Sequence, residues 1–136
     1  MVLPGIQTLF GFQLIAVFNQ RFADVLPEGA RVVHLIALIL IAVAIALIMA
    51  PAAYHRQAER ATVSKYFANY ASRLIAIAML PLLIAISAEV SLVAYAILAQ
   101  FWPSVVCGSL LAILFLWLWF IFPALRRRAT RRAGLS

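Results

Sequence analysis

Residues 74–100 read LIAIAMLPLLIAISAEVSLVAYAILAQ, an apolar run interrupted by a single charge, Glu89. A helix needs about 20 residues to cross the hydrocarbon core of a bilayer, and this run supplies them. A carboxylate at that depth has to be paired, solvated by a water-filled cavity, or protonated. Glu89 shares a helical face with Ala78, Pro81, Ala85, Leu92 and Ala96. Most of these are small, so the face should meet other helices and not lipid. Counting about 1.5 Å per residue from Arg73, Glu89 falls about 24 Å along the helix, near the middle of the membrane or in its outer half. Pro81 should kink this helix or free the carbonyl of Ile77.

The rest of the chain agrees with a membrane setting. Of 136 residues 67% are hydrophobic and 11% charged, and the mean hydropathy is +1.08; a soluble domain carries about 25% charged residues. The expected fold is an all-α integral membrane bundle forming one domain over residues 1–136. Its four transmembrane helices fall at about 2–19, 32–53, 74–100 and 103–123, ahead of a basic tail at 124–136. The first run is the most polar, with Gln7, Thr8, Gln13 and Asn19, and is expected to face protein or a cavity. It lacks the basic segment and small-residue cleavage site of a signal peptide and reads as a retained helix. A three-span arrangement, with this run re-entrant or interfacial, is the alternative.

Loop charge sets the orientation. Residues 55–73 carry Arg56, Arg60, Lys65 and Arg73 against Glu59 alone, and residues 126–132 read RRRATRR. With four spans these segments share a side, so both termini are expected in the cytoplasm. The net charge of +7 is concentrated beside apolar runs, which points to a bilayer with anionic headgroups as counter-charge and away from nucleic acid. Between the second and third spans, Val63, Tyr66, Phe67, Tyr70 and Leu74 recur at helical spacing opposite Lys65, Asn69 and Arg73. This predicts a short amphipathic cytoplasmic helix, at the interface or running into the third span. Tyr54, His55, Arg56, Arg126, Arg127 and Arg128 read as interfacial anchors. Ala42, Ala46 and Ala50 form a helix-packing seam, and Pro51 sits in the last turn of its helix, where it costs little. Phe115, Trp117, Trp119, Phe120 and Phe122 make the fourth span a lipid-facing anchor.

The candidate intramembrane polar site is Glu89 with Gln13 and Asn19; Ser109 and His34 could reach similar depths. It reads as a cation or proton site, or as a structural carboxyl that holds the bundle together. His34 and His55 lie about 31 Å apart on one helix and cannot share a metal within a protomer, so both read as interfacial residues. Two His34 rings meeting across an oligomer axis are the exception. Cys107 has no partner cysteine in the chain. No phosphate loop, zinc-binding HExxH, or serine with histidine and carboxylate within reach is present. An enzyme, including one acting on lipid, is therefore not expected, nor is a metal or cofactor.

Two stretches, LPGIQTLFGFQLIAVFNQRF at 3–22 and APAAYHR at 50–56, resemble a family of small bacterial membrane proteins catalogued only as a domain of unknown function. Leu3, Pro4, Gly5, Gln7, Gly11 and Phe12 carry the resemblance, together with Pro51, Tyr54, His55 and Arg56. It covers about 90 residues and leaves the fourth span generic. The resemblance implies a multi-pass protein of the bacterial inner membrane with four spans, and no activity. From the residues, a homo-oligomer lining a path for a small ion or solute is the favoured role. An accessory or structural subunit of a larger membrane complex is the alternative.

Overall fold

A computed structural model describes residues 2–17, 27–58 and 65–133, all of them helical apart from short connections. Helix α1 spans Val2–Val17, α2 Glu28–Ala58, α3 Lys65–Leu98 and α4 Phe101–Leu116. A π-helical turn, Trp117–Ile121, joins α4 to α5, Phe122–Ala133. Among the described residues, three helical stretches are long and apolar enough to cross a membrane: Glu28–Gln57, Lys65–Leu98 and Phe101–Arg128. The described part of α1 has 16 residues, about 24 Å against an apolar core of ~30 Å.

Helix boundaries follow from local chemistry. Pro27 precedes α2 and its carbonyl accepts hydrogen bonds from the Ala30 and Arg31 amides at 2.9 and 3.2 Å. Glu28 in the first turn and His55 and Arg56 in the last match the helix dipole. At the end of α3, Ala99 adopts a left-handed φ of 51° and donates its amide to the Tyr95 carbonyl at 2.9 Å. The extended residue Gln100 then opens α4, so α3 and α4 form a tight antiparallel hairpin. Pro103 falls in the first turn of α4, where its missing N–H has no partner to lose. Pro123 is the second residue after the π turn. Its ring would crowd the carbonyl four residues back, and the wider turn relieves this.

The core joins the first three helices: Ile6 of α1, Ala37, Ile41 and Ala44 of α2, and Leu82 and Ala85 of α3 are all buried. Small residues here let the backbones approach, which is how helices associate when surrounding lipid removes the hydrophobic drive. Where α2 ends and α3 begins, the Tyr54 ring stacks on Phe67 at 6.1 Å and tilts against Tyr70 at 5.4 Å. His55 also packs on Phe67. Helix α4 lies on the far side of α3, and only 6% of the most apolar part of the stretch Phe101–Arg128 is buried. Phe115 stacks on Trp119, and Arg126 lies over the Phe122 ring at 5.6 Å.

Several expectations change. Ala42 and Ala46 face outward and Ala50 is half-buried, while the chain's own packing uses Ala37, Ile41 and Ala44. The Ala42 seam is therefore not a contact within this bundle. Of the two placements expected for the segment before the third span, the described residues show the one that runs into it, with no separate helix. Lys65 opens the same uninterrupted helix that carries Glu89. Pro51 is buried with α2 continuing to Ala58, so it lies inside the helix and not in its last turn. α3 likewise runs through Pro81, and the proline has no N–H to give the Ile77 carbonyl. The basic tail is helical through Ala133.

Candidate functional site

Glu89 projects from α3 toward α1 and α2, as its small-residue face predicts. Ala78 and Ala85 on that face are completely buried. The Glu89 carboxylate Oε1 lies 2.8 Å from Nδ1 of His34 on α2, with the two side chains 15% and 5% exposed. His34 is held there by the face that builds the core, since Ala37, Leu38, Ile41 and Ala44 follow it at helical spacing and are buried with it. The pair stands toward the end of the bundle opposite the basic segments. Pro27, just ahead of α2, and Ala30 in its first turn line one pocket with Tyr95 of α3 and Phe101 of α4.

The third polar group comes from α1. Gln13 is 6% exposed, and neither its amide nitrogen nor its amide oxygen has a hydrogen-bond partner among the described residues. Gln13, His34 and Glu89 open onto one cavity of about 440 Å³, walled by Leu9, Phe12, Ile86 and Val93. This lies in the ~300–1,000 Å³ range of small-molecule sites, and an apolar wall with a few convergent polar groups is their usual composition. The Phe12 and Val93 side chains on its rim are 67% and 57% exposed. The arrangement can hold a proton between carboxylate and imidazole and can place a carboxylate and a free amide against a guest.

Of the residues singled out from the sequence, Glu89 and Gln13 meet at this cavity, and Asn19 lies outside the described residues. Ser109 is exposed on α4, away from the cavity. His34, expected as an interfacial residue and also among the groups able to reach the depth of Glu89, is buried and is the partner of Glu89. Tyr54 and His55 are half-buried in ring contacts between α2 and α3. They pack helices together, beyond the anchoring expected of them. Arg56, Arg126, Arg127 and Arg128 are exposed. No group of three metal-ligating side chains occurs among the described residues.

On the opposite face of α3, Ser87 and Ser91 meet Gly108 of α4. A methyl group on Gly108 would lie 2.5 Å from the Ser87 carbonyl oxygen and closer still to Ser91 Oγ. Ser91 Oγ donates to that same Ser87 carbonyl at 3.1 Å. Residues 87 and 89 lie about 200° apart around a helix. Contact with α4 on one side therefore fixes the rotation of α3 that sends Glu89 to the other.

No curated protein and no solved structure matches the chain. A family model does, over residues 1–123, and its description is a family of unknown function, DUF6328. The match takes in every residue that lines the cavity and extends through α4, which the motif resemblance had left out. The chain belongs to this family of unknown function.

Proposed function

We propose that this protein is a multi-pass protein of the bacterial inner membrane that carries a proton or small cation along a path whose site is Glu89, His34 and Gln13. The observation that carries the reading is the buried contact of 2.8 Å between His34 and Glu89, opening onto a cavity with Gln13. Ionisable groups at membrane depth are costly, and those that face a bundle interior mark ion and proton pathways. In this reading α1 completes a set of four spans, both termini are cytoplasmic, and the role is non-enzymatic. Copies of the chain associate through the outward Ala42 and Ala46 face, where small residues allow close approach.

The test is proton flux into liposomes holding the purified protein, followed with an entrapped pH-sensitive dye under an imposed potassium diffusion potential. Wild-type protein is expected to acidify or alkalinise the lumen according to the sign of the potential. Glu89→Gln, confirmed as folded by its ellipticity and elution volume, is expected to reduce the rate to that of protein-free vesicles. Equal flux in both proteins would overturn the reading.

A further inference from the structure

We propose that the cavity between α1, α2 and α3 binds a lipophilic ammonium ion and releases one proton as the ion enters, a deepening that rests on the proposed path. The lining selects the class of guest. Glu89 disfavours anions, and walls of Leu9, Phe12, Ile86 and Val93 offer nothing to the hydroxyls of a sugar. A bare metal cation takes about six oxygen ligands, whereas the site presents one carboxylate and the Gln13 amide oxygen. An organic cation brings its own apolar shell and needs only a counter-charge and a dipole. Gln13 supplies the dipole: it is 6% exposed and has no hydrogen-bond partner among the described residues. The exposed Phe12 and Val93 rim lets such a guest arrive from the apolar side.

Charge balance sets the stoichiometry. As imidazolium with carboxylate, or imidazole with carboxylic acid, the pair holds one proton and no net charge. An ammonium ion adds one positive charge. If the proton stayed, the apolar cavity would hold an uncompensated charge, which is strongly disfavoured. If it leaves to solvent, carboxylate and ammonium neutralise each other and the imidazole remains neutral. The groups facing Glu89 across the cavity are His34 from α2 and the untitratable Gln13 from α1. From α4, packed on the far side of α3, no titratable group lines the cavity. Arg31, one turn before His34, is exposed.

The experiment uses the full chain in mild detergent and phenyltrimethylammonium, which has no proton of its own to lose. Calorimetric titration in two buffers of different ionisation enthalpy counts the protons released. Saturable binding is expected with about one proton released per ion, and with affinity falling up to roughly tenfold per pH unit on acidification. Glu89→Gln is expected to abolish binding. Glu89→Asp should weaken it while keeping the proton release, and Gln13→Leu should weaken it several-fold with the same proton count. The uncharged isostere tert-butylbenzene should displace no proton. No saturable binding by wild-type protein, binding without proton release, or undiminished binding by Glu89→Gln would each overturn the inference. Glu89-dependent proton flux in liposomes together with any of these would sink this inference alone and leave the proton path standing.

Discussion

Replacing Gly108 by alanine adds one methyl group, and its surroundings give the cost. The new carbon would sit 2.5 Å from the Ser87 carbonyl oxygen, where ordinary contact begins near 3.4 Å, so α3 and α4 must separate by about 0.9 Å. The obstacle is backbone and cannot swing aside. Overpacking of this kind costs about 1–3 kcal/mol. Ser91 Oγ, which the methyl also strikes, must move and loses its 3.1 Å bond to Ser87, about 0.5–1.5 kcal/mol more. Against this stands the gain of about 1 kcal/mol when alanine replaces glycine inside a helix. The net expectation is a loss of about 1–3 kcal/mol. It would be read as a lower midpoint in thermal melts followed by far-ultraviolet ellipticity in detergent. Gly29→Ala in α2, where an added methyl meets nothing within 4 Å, is the control and should leave the midpoint level or raised. Adding Ser91→Ala to Gly108→Ala should recover part of the loss, since the carbonyl obstacle remains. A Gly108→Ala protein as stable as Gly29→Ala would refute the close crossing of α3 and α4.

Two further perturbations address the pair and the threading. His34→Ala leaves the Glu89 carboxylate without the imidazole that stands 2.8 Å away and should cost about 3–5 kcal/mol, whereas replacing both residues by leucine should be close to neutral or stabilising; the same melts, with both single mutants, give the cycle, and additive losses would mean the pair is not coupled. Green fluorescent protein fused to either end should fluoresce in cells and alkaline phosphatase fused there should be inactive, as four spans with basic cytoplasmic segments require; opposite results at the two ends would leave three spans.

The sequence exposed one side of this site more clearly than the other. Glu89 was legible because a lone carboxylate in an apolar run has few solutions, and the small residues at 78 and 85 showed which way it faces. Gln13 was legible for the same reason in a more polar run. His34 was legible only as one of several groups able to reach that depth, because it lies one turn from Arg31 and so fits the interfacial pattern as well as the buried one. On α2 the spacing of His34, Ala37, Ile41 and Ala44 is as regular as that of Ala42, Ala46 and Ala50. A helix that is apolar all round does not say which of its stripes is buried, and the fold uses the first. Gly108 carried no signal either, since a glycine shows its purpose only when a neighbouring backbone is seen beside it.

Distance along the helices explains why these polar groups depend on one another. Glu89 is nine residues short of the end of α3 at Leu98, about 14 Å of helix rise. His34 is six residues inside the start of α2 at Glu28, about 9 Å. A glutamate or histidine side chain does not extend that far, so neither residue can turn its polar end out to the headgroups as a long lysine or arginine does. Each finds its partner in the other. Gln13 is buried beside them with both amide atoms unmatched among the described residues, and an amide left so in an apolar setting is destabilising. The bundle thus closes around one close acid–base pair and one unmatched amide, facing the same cavity. A guest able to occupy that space gains a hydrogen-bonding or dipolar contact that the folded chain does not supply for itself, which is why the cavity reads as a binding place and not as a packing defect.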